Sequence, residues 1–486
     1  AFIQDDVKLN RRLSLNIGLR YEYFGVMHNT DRSKDLNFYF GPGATIDERL
    51  ANGGLRSTNQ NPGDLKDRLY RPDFLNFAPS IGLAWDIHGR GQTVLRAGYS
   101  VAVDRVFDTV RDLRSNYLQV AYCSPFTACT PRFAIPIEPM LANLGPDQLQ
   151  LGEVVQLDEN LRTPYAQNWY AGIQHAVTPN LLLEFGQIGS VGRKLISRDT
   201  INREPINPNY SDDTFLSNAV TSNYVALEAS LRRRFSRGLQ AQVSYTYGHA
   251  IDNQSDLFEG PRTGPAPDDF ALATLTREFD ARADRGNADF DQRHNLVLNA
   301  IWDLPARPFQ SRWPNRLLRG WRTSVIGAHR SGFPLTVIGI PDPTAELANN
   351  RVDFLGGTVR AAAKAGAVPG GLQFLDPNVF RVAQGHIGSL GRGAIAGPGF
   401  WNYDFALLRS INLSASVRLQ FRAEFYNLFN HPNLSVPVTQ YTNFDGSLNP
   451  VFGQAYYGLN RTYSRFGDLP LENPSRRIQF AVRIWF

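Results

Sequence analysis

The chain has 486 residues, of which 12% are aromatic and 20% charged, and its formal net charge of +5 is small for this length. No apolar run approaches the roughly 18 residues that a membrane-spanning helix needs, which excludes a helical membrane protein. There is no block of basic residues of the kind that marks a nucleic-acid surface, so we expect no nucleic-acid partner.

Apolar and polar residues alternate in many short segments, with the two-residue period of a β-strand. The clearest early example is residues 13–23, in which leucine, isoleucine and tyrosine alternate with polar residues or glycine. A polar region rich in glycine, asparagine and aspartate follows, to about residue 75. In chain order, the predicted strands are 1–8, 13–23, 77–87, 93–103, 163–176, 180–191, 222–235, 239–251, 292–304, 320–331, 400–411, 415–430 and 478–486.

Short and long connections alternate between these strands. Tight turns join the two strands of each hairpin, and the hairpins are separated by long polar segments at about 105–162, 193–221, 252–291, 332–399 and 431–475. Outer-membrane barrels have short periplasmic turns and long extracellular loops, whereas soluble β-sandwiches have no reason to place all long loops at one end. The pattern therefore predicts an all-β fold, namely a transmembrane antiparallel β-barrel.

The last predicted strand is the most regular one. Its apolar side chains fall on every second residue: Ile478, Phe480, Val482, Ile484 and Phe486. A strand that ends the chain on an aromatic ring is typical of the closing strand of an outer-membrane barrel. We expect its apolar face to point at lipid and Arg483 to point into the lumen.

Strand parity also predicts which charged side chains point into the lumen. They carry both signs, so the wall that they form would bind a polar plug or line a hydrated passage. The alternative is that most of them only solvate the lumen and pair with one another. The predicted lumen-facing residues are Arg20, Glu22, Asp86, Arg96, Glu184, Glu228, Arg322, Arg418, Arg422, Glu424 and Arg483.

The number of predicted strands, thirteen, is odd. An antiparallel barrel closes only between strands that run in opposite directions, and with an odd number the first and last strands run the same way. We therefore expect the chain to be incomplete, with more strands before Ala1, unless one strand is missed or wrongly assigned.

The two cysteines of the chain, Cys123 and Cys129, enclose a short segment. Their spacing suits a small disulfide loop in an oxidising compartment. Zinc binding is the alternative, but no histidine or second cysteine pair lies nearby. The sequence therefore favours a disulfide.

No group of residues makes a strong catalytic or metal-binding motif. His294 follows Asp291 closely, but at the start of a strand, where polar residues commonly meet the barrel rim. The acidic segments 252–256 and 443–447 could bind Ca²⁺, yet they lack the acidic residue that completes an EF-hand, and solvated turns explain them more simply. The glycine-rich segment 388–393 lacks the strand-to-helix context of a phosphate-binding loop. We expect no enzyme activity, metal or cofactor.

Several segments together resemble TonB-dependent outer-membrane receptors. Residues 2–6, Phe-Ile-Gln-Asp-Asp, and 13–22, Leu-Ser-Leu-Asn-Ile-Gly-Leu-Arg-Tyr-Glu, are similar to a QDDW…LTLNLGLRYE strand pair of that family. Further similar segments are 76–82, 93–99, 163–169, 291–296, 421–430 and the phenylalanine that ends the chain. The resemblance covers essentially the whole chain. The Oar-like branch, which carries an N-terminal carboxypeptidase-regulatory-like domain, fits best.

The resemblance implies a barrel of about 22 strands with a plug in its lumen, in which these strands are the last. Residues 1–486 are then the C-terminal part of a transmembrane barrel domain in the bacterial outer membrane, without the plug, TonB box and N-terminal domain. The implied function is TonB-dependent transport of an extracellular ligand recognised by the long loops. Implied partners are outer-membrane lipid, the TonB complex reached through the missing N-terminal part, the barrel-assembly machinery and surface proteins. The alternative is an outer-membrane scaffold or anchor that assembles with partner proteins without active transport.

Overall fold

One large, mostly antiparallel sheet organises the chain. The computed structural model describes residues 1–28, 30, 35–61, 65–105, 119–121, 149–151, 154–210, 213–256, 260, 263, 273–305, 320–339, 347–361, 368–414, 416–443, 445–457 and 475–486. Thirteen strands follow one another across the sheet in chain order. They are β1 (Phe2–Lys8), β2 (Leu13–Tyr21), β3 (Phe77–Asp86), β4 (Thr93–Val103), β5 (Tyr165–Thr178), β6 (Leu181–Ile201), β7 (Asp213–Ser236), β8 (Leu239–Asp252), β9 (His294–Asp303), β10 (Trp321–Arg330), β11 (Phe400–Asn412), β12 (Arg418–Tyr426) and β13 (Arg477–Trp485).

Shorter elements fill the long connections. Two of them join the large sheet: Val154–Leu157 pairs in parallel with the start of β7, and Gly286–Asn287 pairs with the end of β8. The other short strands are Leu36–Tyr39, Gly54–Ser57, Gln119–Ala121, Leu149–Leu151, Pro334–Leu335, Asp353–Phe354, Gly371–Gln373, Phe380–Arg381, Ile395–Ala396 and Gln454–Tyr456. Helix α1 (Ile46–Ala51) and the 3₁₀ turns Thr58–Gln60 and Pro377–Val379 complete the fold. Among the described residues, no helix has the length and apolar character to cross a membrane.

The predicted all-β fold and the thirteen predicted strands are confirmed, and the main differences lie at strand ends. The sequence predicts a loop at 193–221, but β6 continues to Ile201 and β7 begins at Asp213. The register of this pair shifts twice between Gly192 and Ser197, and such bulges interrupt the alternation that predicts a strand. At β12 the predicted strand is too long, because Asn427 adopts a positive φ of 49° and ends the pairing.

Residues paired across neighbouring strands share a face of the sheet, and one face is apolar. On β13, Phe480 pairs with Ala423 and is 77% exposed, and Val482 pairs with Phe421 and is 61% exposed. Other exposed apolar side chains on this face are Ile17, Leu19, Phe77, Ile81, Trp85, Ile173, Leu183, Phe185, Val225, Leu227, Leu231, Val243, Ile478 and Ile484. An apolar surface that extends over a whole sheet requires a lipid environment.

The fully buried side chains lie in the long connections, which the sequence predicts as polar loops. We call these connections, together with the outer ends of β6 and β7, the loop layer. Among the described residues, all of the largest fully buried side chains belong to it. Its three apolar clusters contain, first, Leu335, Val337, Val352, Phe374, Leu375, Phe380, Leu390, Ile395, Val436, Phe452 and Ala455; second, Phe38, Leu50, Val154, Ile201, Tyr210 and Phe215; and third, Leu69, Tyr70, Leu157, Leu161 and Leu216.

The apolar face of β13 can be tested with Phe480→Arg and Val482→Arg. Each should cost about 2–4 kcal/mol if the side chain lies near the middle of the bilayer, and should impair insertion. The matched control is Gln479→Arg, because Gln479 lies on the other face and pairs with Glu424. Heat-modifiable migration in detergent gels reports assembly. Normal assembly of both apolar-face variants, or loss of assembly in the control alone, would show that the faces are reversed.

Candidate ligand-binding site

The polar face of the sheet gathers the predicted lumen residues on one surface, which we call the polar wall. Arg96 pairs with Ala84 on one side and Gly172 on the other, and Glu184 pairs with Gln174. Following such pairs from β1 to β13 places all eleven predicted residues on this face, with Glu22 one position beyond the end of β2. These residues share a face because two residues that are paired across neighbouring strands point to the same side of the sheet.

Charged residues of both signs meet on the polar wall. Three ion pairs form there: Arg20 with Glu22, Arg322 with Asp303, and Arg422 with Glu424. The Arg322 pair is bidentate, with Nε 2.5 Å from one Asp303 oxygen and Nη2 3.1 Å from the other. Sequence reasoning missed Asp303, although its parity at the end of β9 could have identified it. Because the arginine of each pair is about half exposed to solvent, each pair contributes little to stability.

A cleft of about 350 Å³ opens on the polar wall where β5, β6, β7 and β8 lie side by side. Its polar side chains are Tyr170, Glu184, Glu228, Ser230, Ser244 and Thr246. Glu184 Oε1 accepts a hydrogen bond of 2.7 Å from Gln174 Nε2. Two carboxylates beside hydroxyl groups can accept hydrogen bonds from a ligand or from another protein segment.

Three other predicted wall residues have structural partners. Asp86 accepts hydrogen bonds from two backbone amides of the turn that follows it, at 2.9 and 2.7 Å, so it shapes the turn between β3 and β4. The guanidinium groups of Arg418 and Arg483 lie 5.7 and 4.9 Å from the centroid of the Trp485 ring, within the range of cation–π contacts.

Asp291 and His294 have different partners, so they do not form an acid–base pair. Asp291 accepts 2.7 Å hydrogen bonds from the Ala250 amide and from Arg293 Nε, which fixes the end of β8. His294 Nδ1 lies 2.7 Å from the Tyr245 hydroxyl on the apolar face. Both side chains therefore serve local structure.

The other predicted sites are only partly within the described residues. Cys123 and Cys129 lie outside them, and their disulfide stays a prediction. In the acidic segment 443–447, Asp445 accepts hydrogen bonds from the amide and hydroxyl of Ser447, as in a solvated turn. In the part of the chain that the structure describes, no three His, Cys, Asp or Glu side chains are grouped as metal ligands.

Buried arginines connect distant segments of the loop layer. Arg392, in the glycine-rich segment, places Nη1 2.5 Å from Asp252 Oδ1 and donates from Nη2 to Ser255 Oγ at 2.6 Å. Asp252 belongs to the other acidic segment and is the last residue of β8. This contact holds a connection that lies about 140 residues later in the chain against the end of a barrel strand.

Two further arginines hold the segment 273–291 in the same way. Arg351 Nη1 lies 2.8 Å from Asp284 Oδ1, and Asp284 also accepts hydrogen bonds from the amide and hydroxyl of Thr276. Arg203 Nη2 lies 2.9 Å from Asp199 Oδ1 on β6 and donates to the Leu275 carbonyl oxygen at 2.6 Å. Sequence reasoning missed all three arginines, since their partners are distant in the chain or carry no local pattern.

Hydrogen bonds and burial shift the pKa values of three side chains in the loop layer: His386, Asp353 and Asp213. His386 Nε2 lies 3.0 Å from Asp353 Oδ1, and this hydrogen bond raises the pKa of the imidazole. The pKa of Asp353 is lowered by the hydrogen bond from the Ser389 amide and then by His386. Asp213, by contrast, is buried with no hydrogen-bond partner, and burial raises its pKa well above the usual value.

The buried pair of Arg392 and Asp252 should stabilise the loop layer far more than a surface pair does. Asp252→Ala removes the closer of the two carboxylates that pair with the buried Arg392 guanidinium and leaves Asp289 Oδ1 at 3.3 Å, which costs about 3 kcal/mol. We expect faster amide hydrogen exchange in residues 273–291. The control is Glu159→Ala in the same layer, because Arg71 and Glu159 keep 29% and 38% of their side-chain surface exposed, so that the ion pair is worth about 0–1 kcal/mol. Equal exchange in the two variants would contradict this assignment.

The chain is similar to outer-membrane proteins over nearly its whole length. Solved structures with similarity include the outer membrane transporter YddB from Escherichia coli, with 12% identity, a TM-score of 0.44 and coverage of 94% of this chain and 43% of that one. The pyoverdine receptor FpvA from Pseudomonas aeruginosa has 12% identity and a TM-score of 0.44, with 100% and 41% covered. The FrpB iron transporter from Neisseria meningitidis has 12% identity and a TM-score of 0.40, with 94% and 44% covered.

The chain thus spans less than half the length of each of these structures. No curated protein matches it. A family model described as an outer membrane beta barrel domain matches residues 1–479. Because that match covers almost the entire sequence, the chain belongs to the outer membrane β-barrel domain family, whose place is the bacterial outer membrane.

Proposed function

We propose that this protein is a TonB-dependent transporter or receptor of the Oar-like branch, which binds an extracellular ligand through its loop layer and moves it across the outer membrane. The observation that carries the proposal is the combination, on one sheet, of an apolar outer face, a wall of mostly polar side chains and a packed layer of long loops at one end. Short turns then lie in the periplasm and the loop layer lies outside the cell.

Strand direction supports the further proposal that the chain is the C-terminal part of a larger barrel. In the described residues, β1 and β13 form the two edges of the sheet. With thirteen antiparallel strands, these edges run in the same direction and cannot pair antiparallel with each other. An odd number of additional strands would close the barrel, and a barrel of roughly 22 strands with a plugged lumen meets this condition.

The chemistry of the polar wall suits a plug domain that fills the lumen. Its carboxylates and guanidinium groups carry both charge signs, and together with its hydroxyls they can form hydrogen bonds with the polar surface of a plug. The plug must also be able to detach from the wall during transport. The cleft at Glu184 and Glu228 offers acceptors to such a surface or to a passing ligand. The proposed activity is passage and binding, with no catalytic role for any of these residues.

One observation favours a second function, a surface scaffold or anchor that assembles with partner proteins. The loop layer has three apolar clusters and buried ion pairs of its own. A layer built this way can present a fixed surface to another protein without any transport. The barrel would then serve only to hold that surface at the membrane.

Binding of the TonB periplasmic domain distinguishes the two functions. The protein should be purified in detergent as its host cell makes it, with every segment encoded upstream of Ala1, and titrated with that domain in a calorimeter. A transporter should bind it, and deletion of the predicted TonB box should abolish the heat of binding. An intact protein that shows no binding, or a gene without plug and TonB box, would instead support the scaffold.

The disulfide between Cys123 and Cys129 remains part of the proposal, because it fits a loop outside the cell. Thiol labelling of the intact protein should be negligible without reductant and should reach two groups per chain after reduction. The Cys123→Ser variant is the control, since it frees Cys129 and should label without reductant. Labelling of both cysteines in the untreated protein would exclude the disulfide.

A further inference from the structure

The tight turns of the sheet are basic to an unusual degree. They comprise residues 9–12, 87–92, 179–180, 237–238 and 413–417, and the longer connection 304–320 joins two strands at the same end. The whole chain has 45 acidic residues, but none of them occurs in these segments, which contain eight arginines, four of them in 304–320. The long connections hold acids and bases together, so this asymmetry belongs to one end of the sheet.

The described arginines at this end divide into two groups by position. Those in the turns or on the apolar face, which we call the arginine belt, are Arg11, Arg12, Arg90, Arg233, Arg237 and Arg409. Those on the polar wall are Arg232, Arg234, Arg322, Arg418 and Arg483. Only the first group can reach the lipid that surrounds a barrel, because the second lies on the lumen side of the strands.

One arginine of the belt, Arg409, lies beside a tryptophan on the apolar face. Arg409 pairs in register with Trp321, and its guanidinium lies 5.3 Å from the centroid of the Trp321 ring. Trp302, which is 43% exposed, lies on the same apolar face at the end of the neighbouring strand β9. Tryptophans on the lipid face of a barrel mark the headgroup level, so the adjacent guanidinium lies where lipid phosphates lie.

Five of the six belt arginines have no carboxylate partner among the described residues. Arg11, Arg12, Arg90, Arg233 and Arg237 form no ion pair with a described residue. Two carboxylates at this end of the sheet have other partners: Asp86 accepts hydrogen bonds from turn amides, and Asp303 pairs with Arg322.

The side chains of two belt residues, Arg233 and Arg12, extend toward the tight turns. Arg233 Nη2 donates to the Ser236 carbonyl oxygen at 3.2 Å, which directs the side chain toward the turn, and its buried Nε has no partner. The Arg12 side chain contacts Gly89, where an added Cβ would lie 2.6 Å from Arg12 Nε. This contact brings Arg12 beside the turn that carries Arg90.

We propose that the arginine belt binds the phosphate groups of anionic phospholipids in the leaflet at the tight-turn end. Guanidinium groups match phosphate oxygens in a bidentate manner, and their long side chains extend from the apolar face to the headgroups. Such binding fixes the height of the barrel in the membrane. Assignment to the periplasmic leaflet rests on the proposed orientation, whereas the lipid binding itself does not depend on TonB or transport.

The experiment compares two variants that remove equal charge. The belt variant is Arg12→Gln, Arg90→Gln, Arg233→Gln and Arg237→Gln, and the wall variant is Arg232→Gln, Arg234→Gln, Arg418→Gln and Arg483→Gln. The full protein, as its host cell makes it, is reconstituted in nanodiscs of phosphatidylethanolamine and phosphatidylglycerol, extracted, and analysed by native mass spectrometry. We expect the belt variant to retain at least threefold less phosphatidylglycerol per protein, and the wall variant to retain as much as the wild type.

Equal retention in the wild type and the belt variant overturns the proposal, and so does equal loss in both variants, which would indicate only net charge. Heat-modifiable migration checks that each variant is folded. If the belt variant does not fold, the wild type decides: its phosphatidylglycerol should be lost in 1 M salt while phosphatidylethanolamine stays, because salt screens exposed charges. Retention of phosphatidylglycerol in 1 M salt would overturn the proposal by this route.

Discussion

The structure depends on the need to pair every backbone N–H and C=O group of a strand that lies in lipid, where no water can replace a missing partner. The thirteen strands meet this need by pairing each with the next in the chain, and the ladder between β7 and β8 extends from Ser236 to Ser222. Because the side-chain period is two, continuous pairing also assigns every residue to a face. The polar wall and the apolar face are therefore two consequences of one constraint on the backbone.

A sheet with lipid on one side and a polar lumen on the other has no interior of its own in which to bury apolar side chains. The protein places that burial in the loop layer, where Leu157, Leu375 and Val337 are fully buried. The sheet and the loop layer are consequently stabilised in different ways. Backbone pairing and lipid contact stabilise the first, and apolar clusters with buried ion pairs stabilise the second, as in a water-soluble domain.

What could be predicted from the sequence follows this division. Alternation is a local signal, so the thirteen strands, their order and the common face of residues as distant as Arg20 and Arg483 could all be predicted. The continuation of β6 to Ile201 could not, since its bulges break the alternation. The loop layer could not either, because each of its clusters unites residues more than about a hundred positions apart and shows no period. Arg392 illustrates the limit: the glycine-rich segment around it is visible, but its partner Asp252 is not.

The strands β6 to β8 connect the two parts of the molecule. They line the cleft at Glu184 and Glu228, and their outer ends carry Asp199 and Asp252, the partners of buried arginines in the loop layer. Separating either buried pair leaves the arginine with only a more distant carboxylate, Glu278 at 3.9 Å from Arg203 or Asp289 at 3.3 Å from Arg392, which costs more than the loss of most single contacts. The loop layer is therefore expected to move as a unit with these strand ends rather than segment by segment. The same three strands, β6, β7 and β8, thus carry both the buried contacts of the loop layer and side chains of the cleft on the polar wall.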